Sequence, residues 1–67
     1  ESVKVLRVAR VMQRAIEVFE DRTNALHWLK SANRSLEGVT PLSLLDTELG
    51  AEAVMDTLGR IEHGVFA

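Results

Sequence analysis

Between Val3 and Phe19 the chain runs for 17 residues without a glycine or a proline, and this run limits the fold more than any other feature. A helix turns by about 100° per residue. On that wheel Val5, Leu6, Val8, Ala9, Val11, Met12, Ala15, Ile16, Val18 and Phe19 cover well over half the circumference, leaving the rest to Lys4, Arg7, Arg10 and Arg14. An ordinary surface helix has a narrower apolar stripe. This helix, with Ser2 available as its N-cap, must therefore be covered on two sides. Its own domain is one cover. A second copy of the chain is an option for the other, through a surface that includes Val5, Val8, Met12 and Phe19.

The rest of the chain reads as shorter helices. Asp21 can cap a helix from Arg22 to Lys30, which turns Ala25, Leu26, Trp28 and Leu29 toward a core; Trp28, with the largest area to bury and an N–H to satisfy, is expected to anchor it. Turn and cap residues then follow in quick succession, namely Asn33, Gly38, Thr40, Pro41 and Asp46. Thr40 followed by Pro41 is an N-cap with proline at the first helical position, opening a one-turn helix through Leu45. Asp46 or Thr47 caps a last helix from Glu48 to His63, which ends at Gly64. Strand alternation is absent. The expected fold is an all-α small helical bundle, a single domain over residues 1–67: a long N-terminal helix, two short middle helices, a one-turn helix and a C-terminal helix with an apolar tail.

A chain of 67 residues supports one small core, worth at most about 3–5 kcal/mol of net stability, so help from a partner is expected to matter. Its hydrophobic fraction of 46% with 27% charged residues is that of a folded globular domain. No apolar run approaches the roughly 20 residues that span a bilayer, no signal-peptide pattern occurs, and no membrane partner is expected; the cytoplasm is the default location. With no cysteines, disulfides and cysteine-based metal sites are excluded. A start at Glu1 in place of Met suggests a piece of a longer protein.

The net charge of −2 is unevenly shared. Residues 1–34 stand at +3 and residues 35–67 at −5. Such asymmetry fits two solvated surfaces, or a basic face for nucleic acid and an acidic one for protein. The stripe of Lys4, Arg7, Arg10 and Arg14 reads as a solvated edge, because base readout also needs Asn, Gln or Arg on an exposed face that fits a groove.

No constellation for catalysis emerges. His27 and His63 have no metal-ligand spacing, Ser31, Ser35 and Ser43 lie in no nucleophile motif, and no glycine loop could cradle phosphate. Asp46, Glu48, Glu52 and Asp56 form an acidic run, but its first two members lie where a helix dipole favours negative charge. The chain reads as neither an enzyme nor a cofactor or metal protein.

In the last helix Ala51, Val54, Leu58 and Ile61 form the stripe to be buried, with Glu48, Glu52, Asp56, Gly59 and His63 opposite and Arg60 at the border. Gly59 is anomalous there. A glycine inside a helix costs about 1 kcal/mol relative to alanine. Either another chain approaches the backbone at that point or the glycine is merely tolerated. Arg60, four residues after Asp56, can form an intrahelical pair, or can reach a partner's carboxylate or a phosphate site. Beyond Gly64 come Val65, Phe66 and Ala67, an apolar ending where termini are usually polar.

The segment from Ala25 to Ala67 contains A-L-x-W-L, N-x-x-L-x-G, T-P-L-x-L-L-D-T and L-G-R-I-x-x-G-V in that order. These elements rest on Ala25, Leu26, Trp28, Leu29, Asn33, Leu36, Gly38, Thr40, Pro41, Leu42, Leu44, Leu45, Asp46, Thr47, Leu58, Gly59, Arg60, Ile61, Gly64 and Val65. In them the chain resembles, over nearly its whole length, the C-terminal toxin-binding domain of Xre/MbcA/ParS-type antitoxins. Ala32 departs from the family, which often has proline there, and the departure bears on the local turn.

The resemblance implies a partner: a RES-domain toxin that consumes NAD or uses it to modify a target. It also implies that the antitoxin's last helix and tail lie at the toxin's active-site entrance and keep the dinucleotide out. On that basis the toxin-binding residues are Gly59, Arg60, Glu62, His63, Gly64, Val65, Phe66 and Ala67, with Arg60 and Glu62 orienting an apolar plug that ends in a carboxylate. The family usually has an N-terminal helix-turn-helix part that binds operator DNA. No DNA binding is expected of these residues alone. The competing expectation is a homodimerisation or nucleic-acid accessory module of a transcriptional regulator.

Overall fold

The computed structural model describes residues 3–64. Helix α1 spans Val3–Phe19, α2 spans Arg22–Lys30 and α3 spans Glu48–His63; two short 3-10 turns, Arg34–Leu36 and Leu42–Asp46, lie between α2 and α3. The all-α bundle read from the sequence is therefore the fold, and no strand occurs among the described residues. Ser2 and the segment 65–67 lie outside the described residues.

Helix α1 is the central element and packs against both α2 and α3. Val11 and Ala15 of α1, Ala25 and Leu29 of α2, Leu36 and Leu45 of the two turns, and Ala51, Val54 and Leu58 of α3 close one buried cluster. The breadth of the α1 apolar face is thus largely met inside the domain. At its N-terminal end it is not, and Val5 and Leu6 remain 58% and 59% exposed. In α2 only Ala25 and Leu29 are buried. Leu26 and Trp28 are half-buried, so Trp28 borders the core instead of filling it, its ring tilted at 44° to that of Phe19 with centroids 5.8 Å apart.

Local chemistry explains each boundary. Asp21, in extended conformation, accepts the Asn24 N–H at 3.1 Å and starts α2. The Asn33 side chain accepts from the Ser35 N–H at 2.8 Å, and its backbone pairs with Val39 across a turn in which Glu37 and Gly38 both have positive φ. That turn closes with alanine at position 32. Thr40 accepts the Ser43 N–H on its hydroxyl at 3.2 Å, and Pro41 already has helical dihedrals, so Thr40 acts as the cap. The short helix is a 3-10 turn and extends one residue beyond Leu45, through Asp46. Of the two candidates to cap α3, Thr47 does so, accepting the Gly50 N–H at 3.0 Å.

Part of the charge asymmetry is met within the molecule. Lys4 pairs with Asp46 at 2.5 Å, Arg7 with Glu48 at 3.0 Å, and Arg14 with Glu62. Three members of the basic edge of α1, Lys4, Arg7 and Arg14, are consequently ties to the second 3-10 turn and to α3. Arg7 differs most from the solvated edge expected of it: its side chain is 16% exposed and also donates to the carbonyls of Leu45 at 3.4 Å and Asp46 at 3.1 Å.

Candidate functional site

The end of α3 brings together five of the eight residues implied to bind a toxin. Leu58 is fully buried and is the last core residue of the helix, followed by half-buried Ile61. Around them Arg60, Glu62, His63 and Gly64 are exposed and Gly59 is half-buried. Val65, Phe66 and Ala67 lie outside the described residues.

Gly64 ends α3 in the left-handed conformation, with φ 65°, and its N–H reaches the carbonyls of Arg60 and Ile61. A glycine is the residue that adopts this φ without strain. Around Gly59, by contrast, no atom of the described residues outside its own stretch of helix lies within 4 Å of the position a Cβ would take. Nothing in the packing of the described residues requires a glycine there. Arg60 and Asp56 form the expected i,i+4 pair at 3.0 Å, and both are more than half exposed, so the guanidinium remains within reach of a partner.

Glu62 is held differently. Its carboxylate accepts from Arg14 of α1 through both oxygens, one contact being 3.3 Å, while the same guanidinium lies 3.3 Å from Glu17. The hydrogen bond from Arg14, joined by its positive charge, holds the Glu62 carboxyl below the ordinary glutamate range against the opposing effect of burial. The same hydrogen bond raises the pKa of Arg14.

The proposed dimer surface divides in two. Val5, Val8 and Met12 line one groove with Lys4 and Ala9, about 430 Å³ in volume, on the first half of α1. Phe19 lies at the other end of the helix against Trp28. A smaller cleft of about 160 Å³ between α1 and α3 has Val11, Ala51 and Met55 among its lining, with Arg7, Arg10, Glu48 and Glu52 around it.

Three residues escaped the sequence reading. Leu49, in the first turn of α3, is 79% exposed and adds an apolar element to the outer face; its place outside the buried stripe was the available signal. Thr57 is buried, and its hydroxyl donates to the Ala53 carbonyl at 2.9 Å, a satisfaction no periodicity of apolar residues would reveal. Gly50 lies in close approach to the chain before α3. Among the described residues no group of three His, Cys, Asp or Glu could hold a metal ion, and no helix is long and apolar enough to cross a membrane.

The antitoxin Xre/MbcA/ParS C-terminal toxin-binding domain matches residues 14–64. The chain belongs to this family. As an Xre/MbcA/ParS C-terminal domain it is similar along its whole length to two proteins named Antitoxin Xre: that of Photorhabdus laumondii subsp. laumondii, at 48% identity, and that of Yersinia enterocolitica serotype O:8, at 43%. It spans 46% of the length of each, so these relatives are about twice as long. The matched span of the domain contains Gly59 to Gly64 and begins after Val5, Val8 and Met12.

Proposed function

We propose that this chain is the neutralising module of an Xre-type antitoxin, that its partner is a RES-domain toxin acting on NAD in the cytoplasm, and that the end of α3 with residues 64–67 occludes the toxin's active site. The observation that carries this reading is Gly59. It lies in the last turns of α3 with open space where a side chain would be, so the approach of another backbone is the natural reason for a residue that weakens the helix. Exposed Arg60 and His63 flank it, and the family match supports the toxin as the class of partner. In this scheme Val65 and Phe66 fill apolar walls of a dinucleotide site. Burying both supplies about 3–6 kcal/mol before the cost of ordering the segment. DNA binding is not assigned to these residues, because Lys4, Arg7 and Arg14 are engaged with Asp46, Glu48 and Glu62.

The test is inhibition of NAD turnover by the purified cognate toxin, with the antitoxin carrying Phe66→Asp. Inhibition should fall by two orders of magnitude or more, as expected for a charge placed in an apolar pocket, with helical circular dichroism unchanged. Undiminished inhibition would refute occlusion.

A second reading has its own observation, the exposed groove of Val5, Val8, Ala9 and Met12. It assigns homodimerisation to α1. Sedimentation velocity of the protein and its Val8→Glu variant tests this, and a monomer at every concentration for the unaltered protein removes the reading.

A further inference from the structure

We infer that Arg14 is a positioning residue for toxin neutralisation: by holding Glu62 it fixes the last turn of α3, and with it the direction in which the chain leaves the helix at Gly64. The inference rests on the occlusion reading above and adds to it a residue two helices away in sequence.

Among the described residues the core ends at Leu58, and half-buried Ile61 is the one apolar side chain of α3 beyond it. Helix ends fray unless side chains or tertiary contacts hold them. Arg60 does not join the turn to another element through its ion pair, because Asp56 belongs to the same helix. Arg14 does. Its two terminal nitrogens meet the two oxygens of Glu62 across the α1–α3 interface, a fork-to-carboxylate geometry that fixes orientation as well as distance. Glu17, one turn further along α1, lies 3.3 Å from one of the same two terminal nitrogens. The Arg14 side chain is 28% exposed and that of Glu62 38%, so the pair is partly shielded from water. An isolated surface ion pair contributes little, whereas a bidentate arginine shared by two carboxylates belongs to the class in which geometry is retained.

A plug that must enter another protein's cavity needs a fixed point of departure, since a loose supporting shell lowers the fraction of molecules ready to bind. Glu62 therefore acts in this scheme through Arg14, in place of touching the toxin itself.

The experiment uses the antitoxin as it occurs with its cognate toxin and compares four proteins: unaltered, Arg14→Gln, the charge-exchanged pair Arg14→Glu with Glu62→Arg, and Phe66→Asp. Inhibition constants, dissociation rates and amide exchange across residues 58–64 are measured. Arg14→Gln should weaken inhibition by about five- to tenfold, chiefly through faster dissociation. It should also speed exchange in the last turn of α3 while leaving exchange at Val11 and Val54 unchanged. The exchanged pair should recover most of the loss. Inhibition by Arg14→Gln equal to that of the unaltered protein would overturn the proposal. So would a folded, slowly exchanging charge-exchanged pair that inhibits no better than Arg14→Gln, since Glu62 would then be needed at the toxin. Phe66→Asp separates the two levels: full inhibition by it would remove occlusion itself, whatever the Arg14 variants do.

Discussion

Gly50 lies directly beneath the carbonyl of Leu44: a Cβ at position 50 would stand 1.9 Å from that oxygen and 2.8 Å from its carbon. The neighbour is backbone, held by the second 3-10 turn whose Leu45 is fully buried, so neither side can yield cheaply. Gly50→Ala is expected to destabilise the domain by about 1–3 kcal/mol, the usual range for overpacking. Chemical unfolding by urea measures it. A loss below about half a kcal/mol would show that the turn can move away.

Gly59 should behave in the opposite way. With open space around its missing side chain, Gly59→Ala should stabilise the isolated domain by up to about 1 kcal/mol through helix propensity alone. Gly59→Leu should leave the domain folded and weaken toxin binding severalfold if a partner's backbone lies against it. Calorimetric titration against the toxin decides, and wild-type affinity for Gly59→Leu would leave the glycine without a role at the interface.

Glu20 stores backbone strain at the end of α1. It has φ 57°, a left-handed conformation usually left to glycine or asparagine, and its N–H still bonds the Ile16 carbonyl at 2.7 Å. Glu20→Gly relieves that strain and should raise stability by up to about 1 kcal/mol. Thermal unfolding gives the answer, and a lowered midpoint would contradict the strain argument.

Acid should weaken the ties between α1 and its neighbours. Lys4 holds the Asp46 carboxyl below its ordinary value of 3.8, and Arg14 holds Glu62 below its ordinary 4.5. A carboxyl depressed in the folded state gives its full contribution above the unfolded value and loses it as the pH falls through the folded one. The unfolding midpoint should therefore be flat from neutrality to about pH 5 and then decline. In Lys4→Gln with Arg14→Gln the decline should be shallower. Parallel pH profiles for the two proteins would show that these pairs do not couple to folding.

The sequence by itself determined the helices, because their signals are local. The limits of α1, α2 and α3 follow from glycine-free apolar periodicity and from caps at Asp21, at Asp46 or Thr47, of which the structure uses Thr47, and at Gly64, each acting within four residues of itself. It also identified the family, through motifs that the structure explains as turn and cap chemistry at Asn33, Thr40 and Thr47. Of the candidate site it supplied the Arg60–Asp56 pair and the anomaly of Gly59, both properties of one helix.

Only the tertiary structure decided what depends on two segments meeting. Arg14 and Glu62 are 48 residues apart in the chain, and Arg7 and Glu48 are 41 apart, so a helical wheel shows each as a charge facing water while the fold places it opposite its complement. The unequal roles of Gly50 and Gly59 divide in the same way. Helix propensity treats the two alike, and it is the Leu44 carbonyl, arriving from the preceding turn, that crowds one position while the other has open space beside it. Periodicity reports the direction in which a side chain points, whereas the neighbour it meets is fixed by how the elements pack.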